Sequence, residues 1–330
     1  MIKKQQVRLT DERTAFKPFA YPWAYNSWLQ HEQSHWIHTE VPMLEDVKDW
    51  KNKLSKDEKN FLTHVFRFFT QGDIDVAGGY VNNYLPYFPQ PEVRMMLLGF
   101  AAREALHIAA YSHLIETLGM PDTTYSEFLA YQEMKDKHDY VLDLSTQSGD
   151  RATTATHIAV FSAFTEGMQL FSSFIMLLNF PRQGKMKGMG QIITWSIVDE
   201  TQHAESMIKL FRTYIEENKE IWNDDLKSRI YSIAERMVEL EDKFIDLAFG
   251  VNDKAGLVDS IPALRGLSSG IRTGRQQFRV FGEAYDALGN SIAHGRLLAA
   301  SSPGNHAESV IAAMQKIQSQ YSSRLSSFAS

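Results

Sequence analysis

The repeated motif Glu-x-x-His is the feature that most constrains the fold of this chain. It occurs as Glu104-Ala-Leu-His107 and again as Glu200-Thr-Gln-His203. On a helix, residues three apart lie one turn apart on the same face, so each pair can bind one metal ion. A single copy is common on solvated helix faces. Two copies in one chain predict two helices that each supply half of a metal site.

The 330-residue chain contains no cysteine, which restricts the chemistry of any site. Disulfides, thiolate metal sites and cysteine nucleophiles are excluded, so a bound metal must rest on histidine and carboxylate. The net charge of −6 offers no basic surface for nucleic acid. No stretch approaches the roughly 18 apolar residues of a membrane span, and the N-terminus lacks the apolar run of a secretory signal. We therefore expect a cytoplasmic protein without nucleic-acid or membrane partners.

Apolar residues recur at three- and four-residue spacing along most of the chain, whereas strand signals are nearly absent. Between Pro91 and Pro262 the only prolines are Pro121 and Pro181, so long helices are possible there. The pattern predicts an all-α fold, a bundle of helices longer than the average of about 11 residues. The predicted helices span residues 55–84, 91–118, 123–145, 152–180, 186–217 and 224–249.

Bundles that hold two metal ions complete the site with one further acid from each of two other helices. Glu166 is the only acid in the apolar segment 157–180, where an unpaired charge would be costly. In the segment 61–80 the candidates are Asp73 and Asp75, and helical geometry does not choose between them. Four carboxylates and two imidazoles, with no soft ligand, suit iron or manganese.

In ligand identity, order and spacing these residues resemble the small subunit of class I ribonucleotide reductase over roughly residues 20–250. The matching residues are Asp73, Glu104, His107, Tyr111, Glu166, Asp199, Glu200 and His203. The separation of 31 residues from Asp73 to Glu104 is similar to the family's spacing and favours Asp73 over Asp75. The resemblance implies a ferritin-like bundle that binds two iron ions, with two manganese ions or a mixed manganese and iron pair as the alternatives.

Tyr111 lies four residues after His107, so its ring falls on the metal-facing side one turn further along the helix. The resemblance implies that Tyr111 is the residue that is oxidised to a stable radical. It also implies that Leu170, Phe174 and Ile193 form an apolar pocket that protects this radical.

Asp199 directly precedes the ligand Glu200, and one residue along a helix turns the side chain by about 100°, away from the ion. It could therefore accept a hydrogen bond from His107, as carboxylates commonly do from metal-bound histidines. The resemblance adds Trp36 as a partner of Asp199 on a route for coupled electron and proton transfer. It places Glu40 near the exit of this route. Trp23 and Trp28 are the local competitors of Trp36.

The function that the resemblance implies is that of a ribonucleoside-diphosphate reductase small subunit. The metal centre would activate dioxygen, or an oxidant derived from it, and Tyr111 would supply an electron. A separate large subunit, which carries the catalytic cysteines, would use the radical to make deoxyribonucleotides. A homodimer is expected, and a manganese form would need a flavoprotein to deliver the oxidant. The rival interpretations are another dinuclear oxidase, such as a ligand-binding oxidase or a desaturase, and a metal-storage or structural bundle.

Composition changes near residue 258. Residues 258–330 contain one Lys and six Arg against four acids, a net charge of +3, whereas the preceding residues carry −9. We expect residues 1–257 to form the radical-generating domain and residues 258–330 to form a separate C-terminal segment. This segment is interpreted either as an ordinary flexible extension or as a segment of different coding origin, such as a shifted reading frame or an inserted module. In it, Tyr321 could stand in for a transfer tyrosine and Leu325–Phe328 for a docking end.

Overall fold

The computed structural model describes residues 7–146 and 149–249 of the chain. Within these ranges every regular element is helical, and the predicted all-α fold is confirmed. The α-helices are α1 (Pro22–Gln33), α2 (Leu44–Asn52), α3 (Lys56–Gly79), α4 (Pro91–Leu118), α5 (Thr123–Ser126), α6 (Gln132–Thr146), α7 (Arg151–Ala159), α8 (Phe171–Arg182), α9 (Lys187–Glu217) and α10 (Asp224–Phe249). The other helical elements are 3-10 turns at His38–Glu40, Glu127–Ala130 and Lys219–Ile221, and π-helical segments at Tyr80–Tyr84 and Val160–Leu170.

The described part of the chain ends with α10, whose last residue is Phe249. The predicted C-terminal segment 258–330 lies outside the described residues, and so do Tyr321 and Leu325–Phe328. The domain boundary after residue 257 therefore stays a prediction.

The long helices lie within a few residues of their predicted ranges, but the predicted helix 123–145 is wrong in its middle. A short helix and a 3-10 turn end at Tyr131, whose backbone is extended with φ −102° and ψ 127°, before α6 begins. The break allows the ring of Tyr131 to contact His64 of α3 edge-on, with centroids 4.8 Å apart. It also allows Arg67 of α3 to donate a hydrogen bond to the Tyr131 hydroxyl. These contacts with another helix override the local helical pattern.

The two π-helical segments lie beside the predicted metal ligands. Tyr80–Tyr84 continues α3 beyond Asp73, and Val160–Leu170 links α7 to α8 and contains Glu166. A π-helix holds an extra residue in each turn, which changes the face on which the following side chains lie. Such segments are rare and occur frequently at functional sites.

Four helical stretches surround the centre of the bundle: α3, α4, the stretch from α7 to α8, and α9. Phe69 of α3 stacks on Tyr111 of α4, with ring centroids 4.6 Å apart, and on Phe174 of α8 at 5.4 Å. The expectation that no stretch approaches the apolar length of a membrane span is wrong for Arg151–Arg182, which is long and apolar enough to cross a membrane, although its apolar window is entirely buried inside the protein. This stretch therefore lies in the core of the bundle. Burial of its apolar surface stabilises the fold by about 25 cal/mol per Å² of surface removed from water.

Candidate metal centre

The structure brings the six predicted metal ligands together at the centre of the bundle. Each of these residues is at most 1% exposed. Their ligand atoms form two groups that share Glu104, and within each group the atoms lie within 4.8 Å of one another. One group is Asp73, Glu104 and His107, and the other is Glu104, Glu166, Glu200 and His203. Asp75 is not part of the cluster, because its carboxylate accepts a hydrogen bond of 2.7 Å from His138.

The glutamates of the two motifs lie between the two histidines. Glu104 Oε2 is 3.3 Å from His107 Nδ1, and its Oε1 is 3.0 Å from His203 Nδ1. Glu200 shows the same arrangement, with Oε1 3.1 Å from His107 Nδ1 and Oε2 3.6 Å from His203 Nδ1. The glutamate of each motif therefore faces both halves of the candidate site. Asp73 and Glu166 belong to different groups and lie at opposite ends of the cluster.

The buried charges of the cluster favour cations. Burial and the neighbouring Glu104 raise the pKa of Asp73 well above its ordinary value. Burial, with Glu200 and Glu104 nearby, also raises the pKa of Glu166, although His203 opposes this. Asp73 Oδ2 and Glu166 Oε2 are buried and make no hydrogen bond within the described part of the chain. Four oxygen and two imidazole ligands fit two divalent ions, which would replace the protons that these groups otherwise hold.

Both histidines present Nδ1 to the carboxylates, and the Nε2 atom of each contacts a further side chain. His107 Nε2 lies 3.2 Å from Asp199 Oδ2, as the sequence predicted. His203 Nε2 lies 3.0 Å from Nε2 of His31, a residue that sequence reasoning missed. Burial lowers the pKa of His31 to about 3, so its imidazole is neutral and can accept a hydrogen bond from His203. Partners of this kind fix the ring orientation and tautomer of a metal ligand.

Asp199 connects the predicted metal ligand His107 to Trp36. The indole Nε1 of Trp36 donates a hydrogen bond of 2.8 Å to Asp199 Oδ2, the same oxygen that faces His107. Arg103, which was not anticipated, donates a hydrogen bond of 2.9 Å to Asp199 Oδ1. The ring of Trp36 also contacts the half-buried Trp195 at 5.2 Å between centroids.

The other residues predicted near this route lie further from Asp199. Trp28 packs on Tyr25, and Trp23 lies beside Lys209, so neither competes with Trp36. Glu40 is exposed on the 3-10 turn that follows Trp36. This places Glu40 at the protein surface.

Tyr111 is buried next to the cluster, with 3% of its surface exposed. Its hydroxyl donates a hydrogen bond of 3.3 Å to Ser196 Oγ. Burial and the nearby Asp73 raise the pKa of Tyr111 well above its ordinary value. The predicted pocket residues are buried, at 1% exposure or less: Leu170, Phe174 and Ile193. Ser196 adds a polar group that the sequence analysis did not foresee, although it lies four residues before Glu200 on the same helix.

A second tyrosine contacts the cluster and was also missed. The hydroxyl of Tyr80 donates a hydrogen bond of 2.6 Å to Glu166 Oε1. Its position seven residues after Asp73, two helical turns along, was a signal that could have revealed it.

Known proteins are similar to this chain in sequence. The family described as "Ribonucleotide reductase, small chain" matches residues 13–261. A probable ribonucleoside-diphosphate reductase small subunit of Invertebrate iridescent virus 6 is 56% identical over 253 residues, covering 72% of this chain and 70% of the relative. The ribonucleoside-diphosphate reductase subunit beta of Chlamydia pneumoniae is 32% identical over 238 residues, covering 68% of each chain.

Solved structures support the fold. The ribonucleotide reductase R2 subunit from Clostridium botulinum superposes with a TM-score of 0.73 and 19% identity, covering 84% of each chain. An R2-like ligand-binding oxidase with an aerobically reconstituted Mn/Fe cofactor gives a TM-score of 0.66 and 15% identity, covering 79% of this chain and 91% of the other. The predicted ferritin-like helical bundle is confirmed.

Proposed function

The chain belongs to the ribonucleotide reductase small-chain family, and from this we propose that it binds two metal ions and generates a tyrosyl radical at Tyr111. As a small subunit of ribonucleoside-diphosphate reductase, it has a large subunit as its partner. The large subunit would use the radical to reduce ribonucleotides to deoxyribonucleotides. The observation that carries this proposal is the buried cluster of four carboxylates and two histidines beside a buried tyrosine.

Each half of the cluster would hold one ion. Asp73 and His107 would bind the first, Glu166 and His203 the second, while Glu104 and Glu200 face both. Two iron ions are the proposed occupants, and two manganese ions or a mixed pair are the alternatives, because oxygen and imidazole ligands suit both metals. When bound, the metal pair would activate dioxygen and so supply the oxidant. A manganese form would require a flavoprotein as an additional partner.

The surroundings of Tyr111 suit a long-lived radical. Phe69 stacks on its ring, and the buried Phe174 stacks on Phe69, so water is kept from the ring. The hydroxyl hydrogen bond to Ser196 fixes the orientation of the phenol in the resting state. Loss of one electron and one proton from Tyr111 would leave a neutral radical in an apolar pocket.

The hydrogen bonds through Asp199 supply the route from the centre to the surface. Asp199 Oδ2 contacts both His107 and Trp36, so an electron and a proton can move along one short chain of groups. The hydrogen bond from Arg103 to the other oxygen prevents Asp199 from rotating away. Trp36 is 5% exposed and is the last residue of the proposed route to lie inside the protein.

Exposed apolar side chains on α3, on the π-helical segment that follows it and on α4 support the proposed homodimer. Ile74, Val81 and Leu98 are each about half exposed, at 50%, 48% and 51%. Exposed apolar side chains favour association with another protein surface.

We also propose the cytoplasm as the compartment and residues 1–257 as the radical-generating domain. The family match ends at residue 261, close to this boundary, which supports the proposed division of the chain.

Reconstitution of the metal-free protein with ferrous iron under air tests the proposed function. We expect two iron ions per chain by metal analysis and a tyrosyl signal by electron paramagnetic resonance. A parallel sample loaded with manganese, with and without a reduced flavoprotein, distinguishes the metals. A protein that binds two iron ions and yields no radical under any of these conditions would contradict the proposal and favour metal storage.

A further inference from the structure

The hydroxyl of the buried Tyr80 donates a hydrogen bond to a predicted metal ligand, Glu166. Tyr80 is 2% exposed, and its hydroxyl donates to Glu166 Oε1 at 2.6 Å. Its ring lies edge-on to His203, with centroids 6.0 Å apart, and to Phe100 at 5.9 Å. Tyr80 therefore contacts the Glu166 and His203 end of the cluster, opposite to the Asp73 end beside Tyr111.

The local backbone explains how Tyr80 reaches Glu166. Tyr80 begins the π-helical segment that continues α3, and Glu166 lies on the other π-helical segment. Gly79, the last residue of α3, lies against the second segment, since a Cβ atom there would be at a contact distance of 3.4 Å from the ring of Phe161. The close approach of the two segments brings the Tyr80 hydroxyl within hydrogen-bonding distance of Glu166.

The two buried tyrosines differ in their proton acceptors. Tyr111 donates to the neutral hydroxyl of Ser196 at 3.3 Å, whereas Tyr80 donates to a carboxylate at 2.6 Å. Hydrogen bonds to a carboxylate are shorter and stronger than those between neutral groups. Because a phenol must lose a proton when it loses an electron, a carboxylate in contact favours oxidation of Tyr80.

We propose that Tyr80 is a second oxidisable tyrosine of the centre, with Glu166 as its proton acceptor. The proposal rests on the proposed function, in which two ferrous ions and dioxygen produce the oxidant. The O–H bond of Tyr80 would break, its proton would move to Glu166 Oε1, and its electron would pass to the oxidant that the bound metal pair supplies. The product is a neutral radical on Tyr80. This reaction supplies the electron when Tyr111 is absent.

Rapid freezing after mixing the ferrous-loaded protein with dioxygen tests the proposal by electron paramagnetic resonance. The variants are Tyr111→Phe alone and Tyr111→Phe combined with Tyr80→Phe. Tyr84→Phe in the Tyr111→Phe background is the matched control, because Tyr84 is buried beside Tyr80 but donates to the backbone carbonyl of His157 at 2.9 Å. Ring-deuterated tyrosine identifies a tyrosyl signal by its narrowing, and iron is counted in every sample.

We expect Tyr111→Phe to form a tyrosyl signal whose hyperfine pattern differs from that of the wild type. The signal should persist with Tyr84→Phe and disappear with Tyr80→Phe, while two iron ions remain bound. Absence of any tyrosine signal in Tyr111→Phe, or its equal loss with Tyr84→Phe, would overturn the proposal. Should Tyr111→Phe bind less iron, Tyr111→Leu takes its place in the same series.

These outcomes separate the two proposals. A wild-type radical that is lost in Tyr80→Phe and kept in Tyr111→Phe would remove the role of Tyr111 and uphold that of Tyr80. A wild-type protein with two iron ions and no radical would refute both.

Discussion

His31 Nε2 lies 3.0 Å from Nε2 of His203, the ring nitrogen that points away from the carboxylates of the candidate metal centre. The His31 side chain is 1% exposed, and its ring packs edge-on against Phe100. Since His203 presents Nδ1 to the carboxylates, its Nε2 carries the hydrogen and donates to the neutral His31. His31 therefore sets the tautomer and the orientation of one proposed ligand, as Asp199 does for His107.

Replacement of His31 by alanine is expected to weaken binding of one of the two ions by about 10- to 100-fold, the usual cost of losing a partner of a metal-bound histidine. The other ion should bind as before, because His107 keeps Asp199. Manganese titration followed by electron paramagnetic resonance measures both affinities. His157→Ala is the control, since this buried histidine lies on α7 away from the cluster. Equal weakening of both ions would mean that His31 only supports the fold.

Tyr111→Phe should remove the stable radical and leave two metal ions bound. Phenylalanine keeps the ring that stacks on Phe69 and removes only the hydroxyl that donates to Ser196. Metal analysis and electron paramagnetic resonance of the reconstituted variant check both statements. Persistence of the wild-type spectrum, unchanged in shape and lifetime, would assign the radical to another residue.

Trp36→Phe is expected to separate radical formation from radical use. The change keeps an aromatic ring but removes the Nε1 donor to Asp199, so the proposed route is interrupted after Asp199. Iron content and the Tyr111 radical should remain, whereas deoxyribonucleotide formation with the large subunit should fall by at least about 100-fold, at the low end of what a positioned proton-transfer group contributes. Trp28→Phe, in the same N-terminal region, serves as the control and should retain activity. Normal turnover in Trp36→Phe would exclude this route.

The sequence predicted those parts of the site that local rules determine. The Glu-x-x-His spacing places ligands on one helix face, and the cost of a lone buried charge singled out Glu166. Asp73 and Asp75 could not be separated by helix geometry; the resemblance favoured Asp73, and in the structure Asp75 pairs with His138. The spacing of seven residues from Asp73 could have revealed Tyr80, but His31 escaped prediction because its partner His203 lies 172 residues away along the chain. Contacts between distant helices leave no periodic signal in a single sequence.

His64 should make the stability of the metal-free protein depend on pH. Burial and the nearby Arg67 lower the pKa of His64 from 6.5 to about 4. Between these values the unfolded chain binds a proton that the folded protein does not, so the free energy of unfolding falls as the pH falls. The contribution is fully present above pH 6.5 and is lost down to pH 4, a difference of about 3 kcal/mol.

His64→Phe should therefore lose less stability than the wild type between pH 6.5 and pH 4.5. Urea denaturation at several pH values measures the difference, and the exposed His35→Gln serves as the control. Parallel curves for His64→Phe and the wild type would contradict the prediction.

The last prediction concerns a chain shortened to end at Asp253. The proposed metal ligands, Tyr111 and the Trp36 route all lie within the helices and turns that end at Phe249. The serine-rich, glycine-interrupted sequence after Val258 offers few continuous apolar faces to offset the roughly 1–2 kcal/mol per residue that ordering a backbone costs. The shortened chain should therefore bind two metal ions and form the radical with the yield of the full chain.

Assays with a large subunit test a second part of this prediction. If residues 258–330 replace a native docking tail, neither the full nor the shortened chain should support nucleotide reduction, whereas a native tail would give activity to the full chain only. Metal analysis, electron paramagnetic resonance and thermal unfolding of both chains provide the comparison. Loss of folding or of metal binding on shortening would show that the C-terminal segment is an integral part of the domain.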